Sequence, residues 1–191
     1  MTFEVFRHTL LTGTSDEDLA EVVDSYGQVQ VSEWLVLILG NWLDTARLLS
    51  HAQQDRILWR IGSNPMFIGW WLEADSKLNF EQKTTLLQAS KSVPLAIPSL
   101  FKPDEPMENG YFMWWDLLCS GISDEDLASE CLEILEALSQ HNDNRVQASA
   151  LHGLGHLQHP RRAQVVDAYI ARHPEAGKSD WILACRDGTV M

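Results

Sequence analysis

The sequence predicts an all-α domain of antiparallel helical hairpins, stacked as a short solenoid or a compact helical array. Three observations carry that expectation. No segment alternates polar and apolar residues for long, as strands with one buried face do. Helix starts and stops recur along the whole chain, as Ser, Asn or Asp caps and as Gly or Pro breaks. Between them, apolar residues return at i, i+3, i+4 and i+7, which gives a helix one buried stripe.

Taken in order, Ser15 reads as the N-cap of a first helix, with Asp18 completing a capping box. Leu19, Val22, Val23 and Tyr26 form its stripe, and Gly27 stops it. Ser32 opens a second helix to about Leu49. It is apolar almost all round from Trp34 to Leu39, so it should be central and buried. Residues 53–61 form a third, ended by Asn64-Pro65. Pro65 suits the first turn of the next helix, which carries Phe67, Ile68, Trp70, Trp71 and Leu72. Asn79 with Gln82 is another capping box, opening a helix to about Lys91. Residues 92–110 hold four of the seven prolines and read as a linker. The chain is then one helical domain over 1–191, or two sub-units, 1–91 and 111–191, joined by that linker.

Helices resume at Tyr111 and end near Cys119, with Gly121 in the C′ position. The chain then repeats itself. Residues 13–20 and 121–128 differ only at Thr14/Ile122, an offset of 108 residues. This is either duplication of a helical unit or convergence on a good cap. In the second copy Leu127, Cys131, Ile134, Leu135 and Leu138 make the apolar stripe, with Asp126, Glu130, Glu133 and Glu136 on or beside the opposite face. Beyond it, Val146, Ala150, Leu154 and Leu157 share one helical face, and His159-Pro160 breaks the chain. Arg161 to Arg172 returns with Val165, Val166, Tyr169 and Ile170 inward. A last helix near 178–186 is closed by Asp187-Gly188.

The stretch Asp143-x-Arg145-Val146-x-Ala148-x-Ala150-Leu151-x-Gly153-Leu154-Gly155 resembles the HEAT-type repeat, over residues 143–173 or about one sixth of the chain. The resemblance implies a short HEAT-like α-solenoid. In it Asp143 and Arg145 tie adjacent repeats together, and Ala148, Ala150, Gly153 and Gly155 are close-packing positions. The Ala-Leu-His-Gly-Leu-Gly-His run is also similar to small bacterial HEAT-like proteins, some of which resemble immunity proteins of toxin systems.

Composition narrows the function classes. The formal charge is −13, and residues 101–140 hold ten acids against one base. That balance argues against direct binding to a nucleic-acid backbone, which needs clustered Lys and Arg. It would draw in a basic protein, or simply keep the chain soluble. The longest apolar run, Trp34 to Leu39, is far short of the ~20 residues a bilayer span needs. The N-terminus shows no signal peptide. Three scattered cysteines without a CxxC fit a reducing compartment, so the cytoplasm is the expected address.

Two sets of residues stand out as candidate sites. The first is an acidic, aromatic surface. Asp104, Glu105 and Glu108, together with Asp126, Glu130, Glu133 and Glu136, supply charge, and Trp71 and Trp115 are candidate anchors for a cationic partner. The Trp70-Trp71 and Trp114-Trp115 pairs cannot place both rings on one helix face, so one ring of each could be exposed, or both could pack between layers. The second is His152 and His156, four residues apart on one face, as two metal ligands would be. No Glu follows His152, so the HExxH base is missing, and a third ligand would have to come from His141 or a remote acid. Gly153-Leu154-Gly155 is not a phosphate loop, having neither a preceding strand nor a following Lys-Ser/Thr.

The leading expectation is a non-enzymatic protein–protein interaction module with an acidic surface and a basic protein partner, needing no cofactor and no catalytic residue. By the second resemblance it would be an immunity protein for a basic toxin domain. The alternatives are a metal-dependent or small-molecule enzyme built on His152 and His156, and a structural adaptor or oligomerisation domain.

Overall fold

The computed structural model describes residues 2–13, 16–63, 66, 68–73 and 75–190. All regular structure among them is helical. In chain order the helices are α1 (Phe3–Thr12), α2 (Asp16–Gly40), α3 (Trp42–Ala46), α4 (His51–Gly62), α5 (Ile68–Trp71) and α6 (Phe80–Ser90). They continue with α7 (Ser92–Leu100), α8 (Asn109–Cys119), α9 (Glu125–Leu138), α10 (Asn144–His156), α11 (Arg162–Arg172) and α12 (Asp180–Asp187), with a 3₁₀ turn at Pro174–Lys178 before α12. No helix among the described residues is long and apolar enough to cross a membrane.

The caps that form are local and follow side-chain chemistry. Asn79 accepts from the Gln82 amide at 2.9 Å while Gln82 accepts from the Asn79 amide at 3.0 Å. Ser50 and Gln53 make the same reciprocal box at the start of α4. Such boxes satisfy amides that have no partner within the helix. Asp124, rather than Ser123, caps α9 by accepting from the Leu127 amide. Ser15, Asn64-Pro65 and Phe67, to which the sequence assigns a cap, a break and an apolar position, lie outside the described residues.

Four sequence expectations are corrected. Ser32 lies inside α2, where its hydroxyl donates to the Val29 carbonyl; the break is at Gly27, whose φ of +75° costs a glycine little. That helix ends at Gly40, and α3 is separate. Residues 92–100, expected as linker, form α7. Pro94 sits in its first turn, where no intrahelical donor is missed, and only Pro98 interrupts the ladder. Gly121 is buried and not left-handed; a Cβ there would stand 2.1 Å from the Gly69 carbonyl oxygen, so it is the close approach to α5 that demands glycine.

Contacts between the helices set the architecture. Tyr111 meets Gln54 while Gly62 meets Leu117, so α4 and α8 run parallel. Tyr111 pairs with Ser149, Phe112 with His152, Trp115 with Gly153 and Asp116 with His156, so α8 and α10 also run parallel and in register. Gly155 lies against Cys185 and Val190, at the end of α12 and just after it. Helix α9 packs on α10, α11 on α10 and α12, and α6 on α2 and α9. The buried core is continuous, from Phe6 to Cys185. It includes a hydrogen-bonded chain in which Trp42 donates to the Tyr111 hydroxyl at 3.0 Å and Tyr111 donates to Gln54 at 2.9 Å.

Candidate functional site

A close helix approach builds one candidate site. At position 153 any Cβ would lie 2.3 Å from the Trp115 Cβ, so glycine there lets α10 settle onto α8. Ser149 secures the approach by donating to the Tyr111 carbonyl at 2.7 Å. Residues four apart on a helix share a face, so two rows then oppose each other. Phe112 stacks on His152, with ring centroids 4.5 Å apart and planes 12° off parallel. One turn on, Asp116 Oδ1 lies 3.2 Å from His156 Nδ1. The two imidazoles meet edge to face at 5.0 Å.

One ligand-capable atom from each of Asp116, His152 and His156 lies within 4.8 Å of the other two. His152 is only 2% exposed, whereas His156 and Asp116 reach the surface with 23% and 20% of their side chains accessible. Burial pushes the His152 imidazole below its ordinary pKa, and neighbouring His156 adds to the effect. Asp116 and the Phe112 backbone oppose it without prevailing, so the ring is neutral near pH 7. Two buried imidazole nitrogens, His152 Nδ1 and His156 Nε2, have no hydrogen-bond partner, and neither has the Trp115 indole nitrogen. A cleft of about 520 Å³, lined by His156, His159 and Arg162 among others, opens beside the cluster.

The acidic surface is the second candidate. On α9, Asp126 and Glu133 are exposed and Glu130 and Glu136 half-buried, while Leu127, Cys131, Ile134, Leu135 and Leu138 are buried. Among the described residues the one ion pair reaching these four acids is Arg161 to Glu136, at 3.9 Å. Asp104 is exposed. Glu105 is engaged, accepting from the Lys102 amide and facing His51 at 3.6 Å, and Glu108 is half-buried at the start of α8. Both proposed aromatic anchors fall inside the core. Trp71 is 3% exposed and Trp115 fully buried, because α8 is covered on one side by α4 and α5 and on the other by α10. Trp114 is buried too, donating to the Ser90 carbonyl, and Trp70 is the indole that faces solvent.

The positions named by the repeat pattern have visible work. Asp143 caps α10 and holds Arg145 by a 2.7 Å ion pair, and Arg145 donates to the carbonyls of Lys102 and Glu105 in the segment before α8. These bonds hold the Asp143 carboxyl below the usual carboxylate range. Gly155 admits Val190, Ala150 is buried and Ala148 half-buried. The cysteines are buried thiols. Cys119 and Cys131 lie 3.5 Å apart, and burial drives Cys119 well up and Cys185 to about 12.

Asp116 is the functional candidate that sequence reasoning missed. A signal was there, since it is the one charged residue in α8, an otherwise apolar and aromatic helix. Comparison finds no matching family model, no similar curated protein and no similar solved structure.

Proposed function

We propose that this chain is a non-enzymatic protein-binding module that recognises a basic protein partner through the outer face of α9, in the cytoplasm. One observation carries the reading: α9 turns Asp126, Glu130 and Glu133 away from its buried stripe, and no ion pair neutralises them among the described residues. Carboxylates left in water steer a cationic surface by long-range attraction and supply its charge-assisted hydrogen bonds. The exposed Asp104 and Glu17, in the first turn of α2, add to the field.

The scaffold reading accompanies it. The in-register parallel packing of α8 and α10, offset by 38 to 40 residues at each pairing, supports a HEAT-like repeat, whose period is about 40–47 residues. The resemblance to immunity-like proteins makes a basic toxin domain the class of partner, blocked by occlusion rather than by chemistry.

Capture from source-cell extract by the wild type and by an Asp126→Lys/Glu130→Lys/Glu133→Lys variant tests this. The expected result is a basic protein retained by the wild type, lost from the variant, and weakened at least about tenfold between 50 mM and 0.5 M salt. Equal retention by both, insensitive to salt, would contradict it.

A further inference from the structure

A buried polar atom without a partner loses its hydration and gains nothing in return, a cost of about 1–3 kcal/mol. The α8–α10 interface holds such an atom on its most buried imidazole, His152 Nδ1. It is not a spare group at a loose edge. Gly153, Ser149 and the Phe112 stack bring the two helices together at this level, and Asp116 adds a carboxylate where the rest of α8 is uncharged. Two imidazoles and one carboxylate converge from two rigid helices, which is the arrangement that holds metal ions best.

We propose that Asp116, His152 and His156 form a binding site for a divalent metal of the zinc class, which links α8 to α10. The donor set decides the class. Zinc accepts imidazole nitrogen and carboxylate oxygen in a tetrahedron of three protein ligands plus one water, whereas magnesium and calcium require mostly oxygen. The 3.2 Å between His156 Nδ1 and Asp116 Oδ1 already matches the edge of such a tetrahedron, about 3.3 Å for bonds near 2.0 Å. His152 needs only to close from within 4.8 Å. The fourth position is open to solvent, because Asp116 and His156 reach the surface. This site takes its ligands from α8 and α10 and none from α9, so either reading can fail alone.

The test uses the full chain stripped with a chelator and then titrated with zinc chloride by calorimetry, with cobalt(II) spectra as a second readout of coordination. The wild type should bind one ion per chain with a Kd below about 1 µM, and His156→Gln and Asp116→Asn should each weaken that by about 100-fold. Those two substitutions change partly exposed side chains, so their melting temperatures without metal should match the wild type. A control, His141→Gln, should bind as the wild type does. Magnesium and calcium should give no signal. Binding that survives both ligand substitutions, or no zinc binding by a folded wild type, would overturn the proposal.

Discussion

Helices α9 and α10 are adjacent in the chain and pack on one another, yet they place their polar side chains in opposite directions. α9 turns its carboxylates outward to water and keeps an unbroken apolar stripe inside. α10 turns Gln147, Ser149 and His152 inward. The first two are satisfied: Gln147 donates to the His141 carbonyl and accepts from Tyr169, and Ser149 donates to the Tyr111 carbonyl. His152 keeps an unpartnered nitrogen. The difference shows where each helix has interaction to offer. α9 can meet another macromolecule without disturbing the fold, while α10 is committed to the fold everywhere except at its histidines.

The comparison can be broken from the inside first. Gly153→Val forces a branched side chain into the space held by Trp115 and Leu135, and overpacking between rigid helices should cost about 3 kcal/mol or more. Urea denaturation would show it, and an unchanged midpoint would mean that α8 and α10 are not in intimate contact. Tyr111→Phe leaves the Trp42 indole N–H without its acceptor and Gln54 without its donor, both in the core. A loss of about 2 kcal/mol is expected by the same measurement.

Asp143→Asn removes the ion pair to Arg145 while retaining a capping side chain, and should cost about 1 kcal/mol at neutral pH. Its pH dependence has a definite sign. The folded-state pKa of Asp143 is depressed, so its contribution is fully present above the unfolded carboxyl value of about 3.9. The contribution fades as pH falls through the folded value, so wild type and variant should converge in acid melts. Charge reversal on α9 should be the mildest for stability. Asp126→Lys/Glu130→Lys/Glu133→Lys should shift the unfolding free energy by no more than about 0.5 kcal/mol, since no partner within the fold is lost. A large loss would mean that those acids serve the fold and are not held for a partner.

What was legible in the sequence is what local chemistry decides. Asn79-Gln82 and the stripe of α9 depend on residues a few positions apart, so spacing reveals them. The Asp187-Gly188 stop is local too, with Gly188 left-handed at φ +71°. What was missed depends on register between distant helices. Asp116 meets His156 across forty residues, and nothing in the periodicity of either helix states that they align. Trp71 and Trp115 read as surface anchors because spacing alone does not tell how many neighbours a helix has; α8 is covered on two sides. Gly121 suits a helix stop equally well by sequence, and only its approach to Gly69 shows its role. The Pro-rich stretch misled because proline is costly inside a helix but not in its first turn.

The most direct test sets the two helices against each other with one probe. Zinc is titrated into the chelator-stripped wild type, the α9 triple-lysine variant and His156→Gln. Equal affinity and one ion per chain are expected for the first two, and a loss of about 100-fold for the third. Zinc binding that disappears from the α9 variant and persists in His156→Gln would place the cation on the outer carboxylates, contradicting the division between an inward site and an outward face.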